Sequence, residues 1–343
     1  MAQAQPGGMS STNCCRNATL PGVERGTWDR VDASDWEVWD VEQSGSSEAT
    51  WLLEPSTGER WLHKDTKIPS NGIEQGEDWS EVVSTQVARL LGVPCAPTRL
   101  CARAGRRGTL SRTIVPKGHD LWEGAVILET AGAPGFFRQI EGGPPAEDPQ
   151  RPGIRRPGHS LANIRTALEG VVPPPSFAGP DGLTAFDVFA GYLILDALIA
   201  NADRHEQNWA KLTPRLRTMP EALSPSYDHA SSLGHNLHES ARQLCINEPG
   251  RLERWAAKGL AARFEHRLPA PTLVDHAAKA VMMCTDEGAD WLWNELHTLD
   301  LTPVLEALNG GEVPAMSEAA ATFAHDLLNL NLRRLRDAIG HRA

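Results

Sequence analysis

Several features that would place a chain in a common class at once are missing from this sequence. Its longest apolar segment, residues 186–200, is shorter than the roughly 20 residues that a helix needs to cross a bilayer. Two aspartates and one glycine interrupt this segment, so it predicts a buried helix of the core and no membrane association. The first residues contain no basic region followed by an apolar run, the pattern of a secretory signal. We therefore expect a cytoplasmic protein.

Cysteine pairs are also missing. The six cysteines include no CxxC motif and are too sparse for a disulfide scaffold, which agrees with a reducing compartment. A zinc site is therefore not expected. The cysteines are Cys14, Cys15, Cys95, Cys101, Cys245 and Cys284.

Positive charge is in deficit. Lys and Arg number 33 against 44 Asp and Glu, which gives a net charge of −11. This is the wrong sign for a protein that coats nucleic acid or an anionic membrane, so direct nucleic acid binding is not expected. The composition, 41% hydrophobic and 22% charged, is that of an ordinary globular protein. A cytoplasmic enzyme or binding protein fits this charge and composition better than a protein that coats nucleic acid or a membrane does.

The common glycine-rich phosphate motifs do not occur. The sequence contains neither GxGxxG nor GxxxxGK[ST], so Rossmann dehydrogenases and Walker-type ATPases find no support. It also shows no internal repeat.

The N-terminal half begins with a polar, glycine-rich tail over residues 1–26 and then changes to short Trp- and Val-containing runs. A first strand is predicted near residues 36–39. Residues 51–53 and 61–64 flank a Pro- and Gly-containing turn, which predicts a β-hairpin.

A helix is predicted next, from Asp78 to a stop at Gly92. Asp78 and Glu81 have the spacing of a capping box at its N-terminus. Residues 98–102 and 109–115 then predict a second hairpin.

The C-terminal half is predicted to be mainly helical. Ten of the 25 prolines lie between residues 134 and 180, a density that leaves room only for a short helix near 160–168. The apolar spacing i, i+3, i+4, i+7 then predicts helices around 186–200, 251–266, 272–283 and 317–341.

Three polar residues have the spacing of a phosphoryl-transfer site. Asn208 follows Asp203 by five residues, and Asp228 comes after a short predicted hairpin. A kinase-type site needs one carboxylate to take the proton of the attacking hydroxyl. It also needs an amide oxygen and a second carboxylate, because Mg²⁺ prefers oxygen ligands. Spacing alone favours a plainer interpretation, in which Asp203 and Asn208 are turn and capping residues at the end of a core helix and Asp228 ends a strand.

The sequence around these residues resembles that of HipA-like kinases, which are Ser/Thr kinases with a protein-kinase-like fold. NADRHEQNW followed by LSPSYDHASSLG is similar to their catalytic loop and metal-binding segment. SGSSEATWLLEPSTGERWLHK resembles their N-lobe hairpin, GEDWSEVVSTQVARLLGVP the following helix, and LSRTIVPKGHDLWEGAVIL the segment before the hinge. These segments cover most of residues 40–235 in the right order.

The resemblance implies an α+β, bilobal protein-kinase-like fold. After the tail, residues 27–131 would form a β-rich nucleotide-binding N-lobe. Residues 132–158 would be a Pro-rich linker, and residues 159–343 a mainly helical C-lobe with the catalytic and metal-binding loops.

The same resemblance assigns roles to individual residues and implies ATP and Mg²⁺ as cofactors. Asp203 would be the catalytic base, and Asn208 and Asp228 would be Mg²⁺ ligands. Lys64 would contact the ATP phosphates, with Lys67 as a close competitor. Lys64 is favoured because it continues a hairpin strand, which would hold it rigidly.

Three further groups complete the predicted site. Glu81 would pair with Lys64, although the capping box explains the same side chain. His205 would orient the catalytic loop through hydrogen bonds. Gly45, Ser46 and Ser47 belong to a Gly/Ser loop that would cover the phosphates, and its serines are candidates for autophosphorylation.

The predicted function is transfer of the ATP γ-phosphoryl group to a Ser or Thr hydroxyl of an unidentified protein. The alternatives are a kinase for a small molecule, such as an antibiotic or lipid headgroup, and a nucleotide-binding pseudokinase. The segment before the hairpin is too short for the extra subdomain of the HipA-like toxins, so an antitoxin-like partner is not expected. Arg151, Arg155 and Arg156 in the Pro-rich segment would belong either to an acceptor-recognition surface or, as we favour, to a linker.

Overall fold

The computed structural model describes residues 26–42, 49–70, 72–139, 143, 146–216 and 218–340. Most of the predicted tail and the predicted phosphate-covering residues Gly45, Ser46 and Ser47 lie outside the described residues.

The N-terminal part forms a mixed sheet. Its strands are β1 (Val31–Asp32), β2 (Glu37–Glu42), β3 (Ala49–Leu53), β4 (Arg60–Asp65), β5 (Thr98–Arg103) and β6 (Arg106–Arg112). They lie in the order β1-β5-β6-β4-β3-β2. Both predicted hairpins are confirmed, since β3 pairs antiparallel with β4 and β5 with β6. The second hairpin turns at Ala104 and Gly105, which both have positive φ angles (49° and 79°).

The predicted helix after β4 is present as α1 (Glu77–Leu90), but the predicted capping box is wrong. No side chain caps this helix. Asp78 is instead fully buried and accepts hydrogen bonds from Arg30 at 3.1 Å and Arg107 at 2.8 Å. A buried carboxylate needs such charged partners, so the Asp78 carboxylate binds the two arginines and does not cap the backbone N–H groups of the first turn.

The remaining helices follow the N-terminal sheet. They are α2 (Gly124–Thr130), α3 (Leu161–Ala167), α4 (Ala185–Ile199), α5 (Glu239–Asn247), α6 (Arg251–Ala256), α7 (Leu273–Met282), α8 (Asp286–Thr298), α9 (Thr302–Asn309) and α10 (Glu318–Ala338). The predicted helix at 251–266 is too long, because the chain leaves the helix after Ala256. Helices α2, α5, α8 and α9 were not predicted from the apolar periodicity.

Helix α4 lies at the centre of the core, as predicted, and every one of its residues is buried. A capping box between Thr184 and Asp187 defines its start, and Ala200 ends it in the left-handed conformation at φ 54°. The candidate catalytic loop begins directly after this cap. In the described part of the chain, no helix is both long and apolar enough to cross a membrane.

A second sheet includes the part of the chain that connects the candidate catalytic segment to the candidate metal-binding segment. It contains β7 (His119–Glu123), β8 (Ala210–Pro214) and β9 (Ala222–Leu223) in that order. The antiparallel pair β8 and β9 confirms the predicted hairpin between Asn208 and Asp228. This hairpin returns the chain to the end of α4, so that residues 203–208 and 226–228 lie side by side.

Candidate active site

The candidate catalytic loop is attached to the C-terminal end of α4. Asn201 donates a hydrogen bond from Nδ2 to Asp196 Oδ1 at 2.9 Å. Its Oδ1 accepts a hydrogen bond from the backbone N–H of Asp203 at 3.1 Å. A single amide side chain therefore links the buried helix to the predicted base.

Arg204 holds the candidate catalytic and metal-binding segments together. Its guanidinium pairs with both carboxylate oxygens of Asp196, with 2.8 Å between Nη2 and Oδ1. Nη1 donates to the backbone carbonyl of Asn208 at 2.8 Å, and Nη2 donates to Ser226 Oγ at 3.0 Å. This role was not predicted from the sequence; an arginine next to Asp203 and an aspartate within an apolar helix were the available signals.

The carboxylate of Asp203 is partly exposed, so a substrate group could reach it. Its Oδ1 lies 2.5 Å from Nη2 of Arg263, a residue that was not predicted from the sequence. An acceptor hydroxyl that reaches Asp203 would therefore share this carboxylate with Arg263.

Asn208 is buried and its amide has a defined orientation. Nδ2 donates to the backbone carbonyl of Asp203 at 2.9 Å. This hydrogen bond uses the amide nitrogen, so Oδ1 is the atom that Asn208 can offer to a metal ion.

Asp228 receives the lysine from the N-terminal sheet. Lys64 Nζ, on β4, lies 3.0 Å from Asp228 Oδ1, and both side chains are 35% exposed. The pair spans 164 positions of sequence and joins the two parts of the molecule. Lys67 lies beyond the end of β4, and its backbone N–H is directed at Glu77 Oε2 at 3.4 Å.

The charge of Lys64 affects the protonation of Asp228. Burial on its own would raise the pKa of Asp228, but the Lys64 ammonium, its hydrogen bond and the nearby His205 and His229 lower it below the ordinary value. Asp228 also has a positive φ of 60°, which is uncommon for a residue with a side chain. Such backbone outliers concentrate at functional sites.

Glu81 faces the residue that follows Asp228. Its Oε1 lies 3.4 Å from Nδ1 of His229, and both side chains are buried. Nε2 of His229 forms a hydrogen bond with Ser226 Oγ at 2.7 Å. His229 is a further site residue that was not predicted from the sequence. The predicted pairing of Glu81 with Lys64 stays a prediction.

Two serines of α1 attach this helix to the segment after Asp228. Ser84 Oγ lies 2.8 Å from Ser232 Oγ, and Ser80 donates to the backbone carbonyl of Ala230. The helix that carries Glu81 and the loop that carries Asp228 are therefore packed as one unit.

His205 is part of the loop structure. Its backbone N–H donates to the Asp203 carbonyl at 2.7 Å, and its ring Nδ1 accepts from the Gln207 N–H at 3.2 Å. Burial lowers the pKa of His205, although Asp203 and other carboxylates oppose the shift. A neutral ring that accepts a backbone hydrogen bond fits the predicted loop-orienting role.

The donor set suits a hard cation. The described residues contain no cluster of three or more His, Cys, Asp or Glu side chains arranged for a metal ion. Asn208 and Asp228 would offer an amide oxygen and a carboxylate, with the other positions left to phosphate and water. Mg²⁺ is commonly held in this way, through one or two carboxylates plus substrate phosphates.

Sequence comparisons give no assignment, because no model of a known protein family and no curated protein matches the chain. The structure is similar to that of the Helicobacter pylori proinflammatory kinase CtkA, with a TM-score of 0.64 at 15% identity over 90% of this chain and 96% of that chain. HipA from Shewanella oneidensis, in complex with HipB and operator DNA, gives a TM-score of 0.47 at 13% identity over 88% of this chain and 68% of that one.

The similarity to CtkA extends over nearly the whole of both chains. The predicted α+β fold, with a β-rich N-terminal part and a helical C-terminal part, is confirmed. The kinase-like fold that the resemblance implied is therefore confirmed.

Proposed function

We propose that this protein is an ATP- and Mg²⁺-dependent kinase that transfers the γ-phosphoryl group to a Ser or Thr hydroxyl of a protein. The observation that carries the proposal is the meeting of Lys64 with Asp228 at 3.0 Å, beside the loop that holds Asp203 and Asn208. This contact brings a strand lysine of the N-terminal sheet to the loop aspartate that the resemblance assigned to metal binding.

Each side chain has a role that its contacts support. Asp203 would orient the acceptor hydroxyl and take its proton, since its carboxylate is partly exposed and is held in place by Arg263. The hydroxyl oxygen would form a bond to the γ-phosphorus while the bond to the bridging oxygen of ADP breaks. Lys64 would balance the charge of the α- and β-phosphates.

Asn208 Oδ1 and the Asp228 carboxylate would hold the magnesium ion. When bound, this ion neutralises negative charge on the phosphate oxygens. The Asp228 carboxylate is ionised at neutral pH, as a metal ligand must be, since its pKa lies below an already acidic ordinary value. Arg204 maintains the spacing of the two ligands, since it bonds to the Asn208 backbone and to Ser226.

The test is phosphoryl transfer from γ-labelled ATP with a cell lysate as the source of acceptors. We expect label in the protein fraction with the wild type and a loss of about 10²–10⁴-fold with Asp203→Asn, the range of a general base. Asp120→Asn is the matched control, because Asp120 is also a partly exposed, arginine-paired aspartate, bound to Arg215 at 2.8 Å.

Three outcomes would contradict the proposal. Label confined to a low-mass fraction would indicate a small-molecule kinase. ATP binding without turnover would indicate a pseudokinase. Full transfer by Asp203→Asn would show that Asp203 is not the base.

A further inference from the structure

The loop between α6 and α7, residues 257–272, brings an arginine to the candidate catalytic loop. Arg263 Nη2 lies 2.5 Å from Asp203 Oδ1, and the two side chains are 39% and 33% exposed. Both are long enough or exposed enough to turn, so the place of the Asp203 carboxylate depends on where the guanidinium is held. The contacts of the Arg263 backbone therefore matter for the proposed base.

The Pro-rich segment holds this loop in place. The backbones of Arg155 and His266 exchange two hydrogen bonds, at 2.9 and 3.1 Å. Arg151 contacts both carboxylate oxygens of Glu265, at 2.9 and 3.0 Å. Charge-assisted bidentate contacts of this kind define geometry as well as adding stability. The chain directly after Arg263 is therefore attached to the Pro-rich segment by backbone and side-chain contacts.

His159 contacts the Arg263 backbone itself. Its ring Nδ1 lies 2.8 Å from the Arg263 carbonyl oxygen, and its Nε2 lies 3.2 Å from Nε1 of Trp209. A carbonyl oxygen only accepts and an indole N–H only donates, so the ring donates from Nδ1 and accepts at Nε2. The two partners select one neutral tautomer. Burial agrees with this, because it lowers the pKa of His159 to about 4.

The second partner of His159 lies on the metal-binding side of the site. Trp209 directly follows Asn208, the proposed Mg²⁺ ligand, and its side chain is buried. The indole packs edge-on against Phe189 of α4, with 5.7 Å between ring centroids. His159 therefore links a fixed indole of the catalytic segment to the backbone of Arg263.

The His159 ring has no room to turn. It is 1% exposed and stacks on Phe264, with 4.6 Å between centroids and 11° between the ring planes. Phe264 contacts the His276 ring in turn, at 4.3 Å. A ring that is packed on its face and hydrogen-bonded at both nitrogens keeps a single orientation.

We propose that Arg263 is a positioning residue for the phosphoryl transfer and that His159 fixes the place of Arg263. The inference rests on the proposed function, since it takes Asp203 as the residue that orients the acceptor hydroxyl. The guanidinium holds the Asp203 carboxylate where the hydroxyl arrives, and the His159 hydrogen bond holds the backbone that carries the guanidinium. A displacement of about 1 Å at a reacting group can cost about 10²-fold in rate.

Steady-state phosphoryl transfer tests Arg263. Arg263→Gln should lower kcat by about 10- to 10²-fold and change the KM for ATP by less than about twofold, because the proposed nucleotide-binding residues are unaltered. Arg263→Lys keeps the charge without the planar guanidinium, so it should recover part of kcat. Arg215→Gln is the matched control, since Arg215 forms an exposed pair with Asp120 at 2.8 Å, and its kcat should equal that of the wild type.

Three substitutions of His159 separate positioning from stability. His159→Asn can keep a donor near the place of Nδ1, whereas His159→Gln can keep an acceptor near the place of Nε2 for Trp209. His159→Phe keeps neither group. We expect kcat to fall by about tenfold in the Phe and Gln variants and to be largely retained in the Asn variant, because only Asn still holds Arg263. Urea denaturation should show a loss of stability in all three, so stability alone does not produce this order.

His276→Phe is the control for His159→Phe. His276 is also buried and contacts the same Phe264 ring, but its Nε2 has no hydrogen-bond partner among the residues that the structure describes. Its replacement should leave kcat unchanged. Equal losses of kcat in the two Phe variants would mean that His159 acts only by packing, and would overturn its assigned role.

A double variant tests whether His159 acts through Arg263. The kcat of His159→Phe with Arg263→Gln should equal that of Arg263→Gln alone, because a guanidinium that has been removed cannot be misplaced. Losses that multiply would overturn the coupling between the two residues.

The same kinetics distinguish this inference from the proposed function. Transfer that is lost in Asp203→Asn but unchanged in Arg263→Gln would overturn the inference and leave the kinase in place. A rise of kcat in Arg263→Gln would show that the arginine blocks Asp203, and would overturn the inference in the same way. Absence of transfer in the wild type would overturn the proposed function itself.

Discussion

Two ion pairs of similar composition differ in their surroundings. Arg204 and Asp196 are buried, with side chains 1% and 3% exposed, and the arginine also bonds to Asn208 and Ser226. Lys64 and Asp228 are each 35% exposed. The first pair is enclosed by protein groups and can only support structure. The second is only partly buried and could exchange its partner for a ligand, so the difference in burial separates the supporting groups from those that we propose to be reactive.

The largest expected effect comes from the exposed pair. Asp228→Ala should lower phosphoryl transfer by at least about 10³-fold, because metal-assisted charge stabilisation contributes several kcal/mol. The free energy of unfolding should change by less than about 1 kcal/mol, as for other exposed pairs. Steady-state kinetics and urea denaturation measure the two values. A variant that keeps its phosphoryl-transfer activity, or one that is unfolded and binds no ATP, would contradict this contrast between the two pairs.

The buried pair should show the opposite behaviour. Arg204→Met should lower the free energy of unfolding by about 3–5 kcal/mol, because Asp196 is then left buried without its charged partner. The double variant Arg204→Met with Asp196→Leu removes both charges and should recover part of this loss. Urea denaturation checks both values. A loss below about 1 kcal/mol in the single variant would show that this pair contributes no more to stability than a surface ion pair does.

A smaller effect is expected from acid. The folded-state pKa of Asp228 is lowered, so the pair contributes stability above the unfolded pKa of about 3.9, and this contribution is lost as pH falls through the folded pKa. Both side chains are partly exposed, which limits the contribution to about 0.2–1 kcal/mol. Unfolding of the wild type and Asp228→Asn between pH 7 and 2 measures it. Wild-type stability that fell no more steeply with acid than that of Asp228→Asn would contradict the assigned pairing.

Secondary-structure elements could be predicted from the sequence better than the supporting contacts. The hairpins and α4 have short-range signals in turn residues and apolar spacing, and the structure confirms them. The spacing of Asp203, Asn208 and Asp228 is likewise local, although their roles stay predictions.

Contacts between distant segments could not be predicted from such local sequence signals. Arg263 reaches Asp203 from the loop before α7, and the capping-box spacing of Asp78 is overridden by Arg30 and Arg107. Both depend on which surfaces pack together. The local sequence pattern does not show which charged side chains become buried, and so it does not show which of them must find a partner of opposite charge.

The smallest effect is expected in the Gly/Ser loop. Ser46→Ala should change kcat and the KM for ATP by no more than about threefold, because such loops hold phosphate mainly through backbone N–H groups, which alanine retains. Ser46→Pro is the informative partner, since proline removes the N–H and restricts φ, and it should raise the KM for ATP by more than alanine does. Kinetics of both variants beside Asp228→Ala test the order. A loss in Ser46→Ala comparable to that in Asp228→Ala would show that a loop hydroxyl, and not the carboxylate opposite Lys64, dominates the chemistry.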